Sequence, residues 1–328
     1  MGHPHSMAHS PRHSLLSLEM GTAQAATDVQ VAPGTRRAAW YCVALALVPV
    51  VAVVASLVIA RSQRFVQHQR NSYLAISDYP FTLTNVNCDV VVFGDSSALT
   101  GVAPQVIEAK TGLKTCNIAQ PNTTLAVAGT FALDSYLQSN KAPKFLVIQF
   151  LAPHFSASFE NGLSTEGALQ LVRHRLDFTT VKLFARHPVD ALAFSEFVLR
   201  SAMFDRDRSG ETSRRAWAQI EANRGMLTVP GPPLQSCIGE NEQRNPDAAY
   251  ISALRARYAK SGAHVIINAA PYPACDAGYD FYAKALAGVS DNSLPKFDIQ
   301  LFNEKAHYTR EGAERNSALI AGQIQNWK

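Results

Sequence analysis

A chain of 328 residues with 47% hydrophobic and 17% charged residues has enough apolar material for a real core, in one large domain or two small ones. Its net charge of +4 is mild. The densest basic group (Arg206, Arg208, Arg214, Arg215) is interleaved with Asp205, Asp207 and Glu211, the pattern of a solvated helix face, which sets nucleic-acid binding aside.

Residues 1–37 are rich in His, Ser, Ala, Pro and Gly and lack apolar periodicity, so they read as a disordered tail, cytoplasmic if the next segment is an anchor. His3, His5, His9 and His13 offer at most loose metal contact in such a tail, and no metal site or cofactor is expected. Residues 38–60, AAWYCVALALVPVVAVVASLVIA, carry no charge and have the length of a bilayer-spanning helix. Trp40 and Tyr41 stand where an interfacial aromatic belt would lie, and Pro49 is a kink that membrane helices tolerate. Arg36 and Arg37 precede the span while Arg61, Arg64 and Arg70 follow it, so flanking charge alone does not orient it. Val58-Ile-Ala60 also fits a cleavage site, but the apolar run exceeds an ordinary signal-peptide core, and the expectation is an uncleaved signal anchor. The globular part then lies outside the cytoplasm, in the periplasm against the inner membrane. A cytoplasmic-facing domain is the alternative, which reduced cysteines would favour.

Outside the span stand Cys88, Cys116, Cys237 and Cys275, an even number compatible with two disulfides in an oxidising compartment, or with four separate thiols. Cys88 and Cys116 each begin a predicted strand, whereas Cys237 and Cys275 sit in Pro-containing loops. Residues 61–86 read as a connector. Beyond it, strands alternate with helices: a strand over 89–93, a helix over 104–111, the strand LKTCNIA, a helix over 124–138 and the strand within KFLVIQFLAP. A helix over 248–260 then leads into HVIINAAPYP, a short fifth strand lies in LPKFDIQLF, and a Thr309-capped helix closes the chain. Unbroken apolar strands alternating with helices predict an α/β fold, a mostly parallel sheet covered on both faces. Residues 155–246 form a helical insertion, long enough to be a lid or binding segment.

The chemistry-bearing stretch is VVVFGDSSALTG. A buried strand ends on Gly94-Asp95-Ser96-Ser97, at the carboxyl edge where open parallel sheets hold ligands. Gly94 is expected to permit a sharp turn and Asp95 to hold it. Backbone N–H groups of the Gly94–Ser97 turn would face an oxyanion at a helix start. A serine nucleophile needs a base and the base an orienter. FNEKAHYTREGAE supplies both at the other end of the chain: His307 just before the last helix and Glu304 three residues earlier.

Those two motifs, from about Cys88 to the end, resemble the SGNH (GDSL-type) hydrolase superfamily, with its Gly-Asp-Ser nucleophile and its C-terminal Asp-x-x-His. The layout is most similar to membrane-anchored extracytoplasmic members associated with polysaccharide O-acetylation. The resemblance implies a flavodoxin-like three-layer α/β/α domain over residues 87–328. It makes Ser96 the nucleophile, His307 the general base, and puts Glu304 where the family has Asp. NIAQPNTT lacks the family's second oxyanion glycine, leaving the backbone N–H near Gln120 or the Asn122 side chain. QFLAPHF lacks its third donor, an Asn, leaving Gln149 or His154. The implied function is a serine esterase or O-acyltransferase moving an acetyl group on an envelope or exopolysaccharide glycan, beside a membrane-bound acyltransferase and without a cofactor. The alternative is a catalytically weak subunit that binds glycan or scaffolds such a complex.

Overall fold

The structure is a computed structural model and describes residues 33–121, 124–125, 129–156, 164–204, 206–237, 243–304 and 307–327. Most of the tail predicted over 1–37, and Asn122, lie outside the described residues. The chain divides by contact into two units, Met1–Val48 and Pro49–Lys328. Helix α1 (Pro33–Arg61) begins in the first and ends in the second. Within it Arg37–Arg61 runs 25 residues, with an 18-residue stretch at a mean hydropathy of 2.9, long and apolar enough to cross a membrane.

The second unit follows. The expected connector is helical: α2 (Gln63–Gln67), α3 (Ser72–Asp78), with Asn71 accepting from the Tyr73 N–H, and a 3-10 turn over Tyr79–Thr82. Next come β1 (Val90–Gly94), α4 (Ser96–Gly101), α5 (Pro104–Thr111), β2 (Thr115–Asn117), α6 (Phe131–Ser139) and β3 (Phe145–Phe150). The insertion contributes α7 (Thr165–His174), α8 (Phe178–Arg186), α9 (Pro188–Met203) and α10 (Glu211–Ala222). The chain closes with α11 (Ala248–Ala259), β4 (His264–Ala269), β5 (Tyr272–Pro273), α12 (Tyr279–Ala285), β6 (Lys296–Phe297), β7 (Phe302–Glu304), β8 (His307–Tyr308) and α13 (Arg310–Asn326).

Strands β2-β1-β3-β4, in that order, form one sheet with every pairing parallel. Their burial explains the unbroken apolar runs. Val91, Phe93, Leu146 and Ile148 pack on one face with Leu133, Tyr136 and Leu254, from α6 and α11. Val90, Val92 and Val147 pack on the other with Leu99, Ile107 and Ile320, from α4, α5 and α13. Each such side chain contributes about 1.5–3 kcal/mol of burial. The ends are set locally: Pro104 starts α5, Gly112 ends it at φ 70°, and the Thr309 hydroxyl accepts from the Gly312 N–H at the start of α13.

The predicted fifth strand is a correction. LPKFDIQLF does not join this sheet but splits: Lys296–Phe297 pairs with β5, and Phe302–Glu304 begins a separate antiparallel pair with β8. The Asp298 and Ile299–Leu301 turn interrupts the run and leaves two short pieces that pair elsewhere. The cysteines are joined Cys88–Cys116 and Cys237–Cys275, each with Cα atoms 5.9 Å apart. Cys88 precedes β1, whereas Cys116 lies inside β2 rather than at its start, opposite Val91.

Candidate functional site

The switch in strand order between β1 and β3 puts the carboxyl end of β1 beside that of β3, with Gly94 opposite Gln149. Gly94 is not there to make a turn, as the sequence suggested, since its φ is not positive. A Cβ at this position would lie 1.8 Å from the Gln149 carbonyl oxygen, so glycine is needed for close approach of the two strands. Helix α4 begins at once. Asp95 is its N-cap, and Ser96 is the first helical residue, partly exposed.

Asp95 is fully buried, and all its contacts are donors. Oδ1 accepts from the Ser97 N–H at 2.9 Å and the Ser97 hydroxyl at 2.5 Å; Oδ2 accepts from the Leu151 N–H at 2.9 Å and from His154 Nδ1 at 2.5 Å. Burial pushes the carboxyl pKa up, but the His154 charge and these hydrogen bonds outweigh it and hold Asp95 below the usual range. His154 responds in the opposite direction. Its burial, and Arg244 nearby, favour the neutral ring, yet the Asp95 carboxylate prevails and raises its pKa. With Nδ1 spent on Asp95, the ring's other nitrogen remains as a donor when the imidazole is charged.

Ser96 differs from its neighbours: among the described residues nothing hydrogen-bonds its Oγ. The rest of α4 is clamped. Asn117 donates from Nδ2 to the carbonyls of Ala98 and Val102, at 2.8 and 3.0 Å. Asn316 donates to the Gly101 carbonyl at 2.8 Å, and the Leu227 N–H to that of Leu99 at 2.9 Å. A free hydroxyl thus stands on a rigidly held helix start.

Strand β8 packs along α4. The Tyr308 ring covers Gly101, where a Cβ would lie 2.5 Å from the ring, and its hydroxyl donates to the Pro271 carbonyl at 2.7 Å. Burial, with the Asp95 charge adding, pushes the Tyr308 phenol well above its ordinary value. His307, one residue earlier, is brought to the same edge. Its Nδ1 lies 2.8 Å from Glu304 Oε2 across the β7–β8 pairing. The His307 side chain is 15% exposed and that of Glu304 63%, so solvent reaches this carboxylate.

The remaining candidates divide. The Gln120 N–H donates to the Gly94 carbonyl at 3.0 Å, and its Nε2 to the Ser77 carbonyl at 3.0 Å. That corrects the expectation for Gln120, whose backbone donor is spent on holding β1. The Ser97 N–H is likewise spent on Asp95, which leaves Ser97 a structural residue and the Ser96 N–H as the turn's remaining donor. Gln149 is buried beneath α4, where its Oε1 accepts from Asn316. His154, rather than Gln149, is therefore the group from the β3 end that touches the Gly94–Ser97 turn, through Asp95. The Asn117 clamp had no signal in the sequence beyond an asparagine near a strand end. The chain matches no protein-family model, no curated protein and no solved structure.

Proposed function

We propose that this is a single-pass membrane protein whose extracytoplasmic domain is a flavodoxin-like α/β/α hydrolase of SGNH type, acting as a serine esterase or O-acyltransferase. The observation that carries the reading is the unpartnered Ser96 hydroxyl at the clamped start of α4, with the Glu304-held His307 on the strand packed along that helix. In this mechanism Nε2 of His307 takes the Ser96 proton as Oγ bonds to the acyl carbonyl carbon. The carbonyl oxygen becomes an oxyanion held by the Ser96 N–H and the outward N–H of His154. Collapse breaks the bond to the leaving alkoxide, which takes the proton from His307. Water or a sugar hydroxyl then attacks the acyl-serine, giving up its proton to His307; the bond to Ser96 Oγ breaks, and Oγ takes that proton back, which regenerates both residues. The raised pKa of His154 suits it to donate to an oxyanion rather than to accept a proton.

The substrate class that fits an anchored domain is an acetylated envelope or exopolysaccharide glycan, with a membrane-bound acyltransferase as partner in the transfer case. The test is acetate release from an O-acetylated polysaccharide, or acetyl transfer to one, by the full chain. Ser96→Ala is expected to reduce either to background while leaving the melting temperature unchanged. Retained turnover in Ser96→Ala would sink the reading.

A second reading has one observation behind it. The N–H groups of Gln120 and Ser97 are both committed within the fold, which leaves few donors for an oxyanion. A catalytically weak subunit that binds glycan predicts polysaccharide affinity that survives Ser96→Ala, with no acyl-enzyme formed.

A further inference from the structure

The insertion is built against the apolar helix. Ser56 of α1 donates its hydroxyl hydrogen to Ser195 of α9 at 3.1 Å, and Ala60 of α1 shares one apolar cluster with Phe194 and Val198 of α9 and Val172 of α7. Arg173 of α7 holds the end of the same helix, donating to the Ala60 and Ser62 carbonyls at 2.8 and 3.2 Å. Its charge is fixed in turn by the buried Asp78, at 2.6 Å. A cation on the last carbonyls of a helix is where the helix dipole favours one.

Length decides the depth of this contact. At about 1.5 Å per residue the uncharged stretch 38–60 is about 35 Å long, against about 30 Å for a hydrocarbon core. Residues 38–51 are exposed throughout, but they reach only about 21 Å. If α1 crosses the bilayer, about 9 Å of the core must fall on residues beyond 51. There Ser56 is already buried against α9. Whatever packs on Ser56 is then at membrane depth too.

The surface of the insertion agrees. Away from α1, most of the exposed large apolar side chains among the described residues fall between 176 and 204. Phe178 and Val181 are 80% and 55% exposed on α8; Val189 and Leu192 are 76% and 54% exposed on the first turns of α9. The spacing is i, i+3 in each helix, one face apiece. Lys182 and Arg186 are exposed on α8 as well, long cations able to reach lipid headgroups from an apolar bed.

We propose that α8 and the first half of α9 are embedded beside α1 in the leaflet on the side of the domain, with Phe178, Val181, Val189 and Leu192 facing lipid. The occupant of this face is the bilayer itself. The proposal rests on α1 spanning the membrane and not on the chemistry assigned to Ser96. It makes the insertion a second membrane contact that fixes the height of the domain, where a single helix would leave it free to swing.

The test uses the full chain with Cys42→Ser, reconstituted in phosphatidylcholine–phosphatidylglycerol vesicles. A nitroxide is attached in turn at Val189→Cys, Phe178→Cys, Leu45→Cys within the span, and Arg208→Cys as an exposed reference. Collision with oxygen, relative to a water-soluble nickel complex, is expected to be several-fold higher at 189, 178 and 45 than at 208. A high ratio at 45 with reference-like values at 189 and 178 would overturn the proposal while leaving the span intact. Reference-like values at all positions would remove the span, and the proposal with it. Spin–spin broadening at 189 would make the face a contact between two copies, again against the proposal. All four labelled positions are exposed in the folded chain, so no label must displace core.

Discussion

Two of the histidine–carboxylate pairs among the described residues, one at the end of β1 and one across β7–β8, are built in opposite ways. Asp95 and His154 lie 59 residues apart in sequence, meet at 2.5 Å, and the carboxylate is inaccessible to water. Glu304 and His307 are three residues apart, meet at 2.8 Å, and the carboxylate is mostly in solvent. In the buried pair both Asp95 oxygens are committed to donors inside the fold, which favours the carboxylate and, beside it, the charged imidazole. The exposed pair rests on one contact between near neighbours in the chain, with solvent at the carboxylate.

Substitutions break this comparison most sharply at His307. His307→Ala is expected to lower kcat/KM by about 10²–10⁴-fold, the usual worth of a general base, without a change in melting temperature. Asp95→Ala acts on the fold instead. Removing one partner from a buried pair, together with a helix cap, is expected to cost about 3–5 kcal/mol in urea unfolding. His154→Gln keeps a polar group against Asp95 but loses the charged donor. It should lower kcat by about 10²–10³-fold, with a smaller effect on KM, as for loss of one oxyanion contact. Glu304→Gln is the mildest, on the order of 10-fold in kcat because solvent screens the carboxylate, and within about 0.5 kcal/mol in stability.

The pairs also predict how stability varies with pH. His154 has a raised pKa in the folded state, so its contribution is fully present below its unfolded value of about 6.5 and is lost as pH rises through the folded one. Asp95 has a lowered pKa, so its contribution is present above about pH 3.9 and is lost as pH falls through the folded value. Unfolding free energy measured against pH should therefore be highest between those limits. His154→Gln should flatten the decline on the alkaline side, and a wild-type curve with no such decline would contradict the pairing.

How much of this could be read from the sequence depends on the range of the interaction. Strands β1, β3 and β4 were legible because burial on both faces leaves an unbroken apolar run. The start of α13 was legible because a capping threonine acts on the next turn. The His307–Glu304 pair was legible for the same reason, its partners being three residues apart. What the sequence misled on were contacts between distant segments. LPKFDIQLF has strand composition but is broken by a turn and pairs elsewhere. The Gln120 N–H stands at a strand end, where an oxyanion donor would be expected, but the Gly94 carbonyl claims it. Gly94 looks like a turn glycine and is instead a contact glycine, made necessary by a carbonyl on β3. The partnership of Asp95 with His154 needed the β1–β3 register, which composition does not encode.

In the proposed mechanism Ser96 is an activated nucleophile with His307 as its base. The direct measurement is covalent trapping: the full chain in detergent is treated with a serine-directed fluorophosphonate, and the modified residue is located by mass spectrometry, beside a His307→Ala control. Modification is expected at Ser96 and falls to background in the control. No modification of Ser96 in folded protein, or modification that His307→Ala leaves unchanged, would contradict that mechanism.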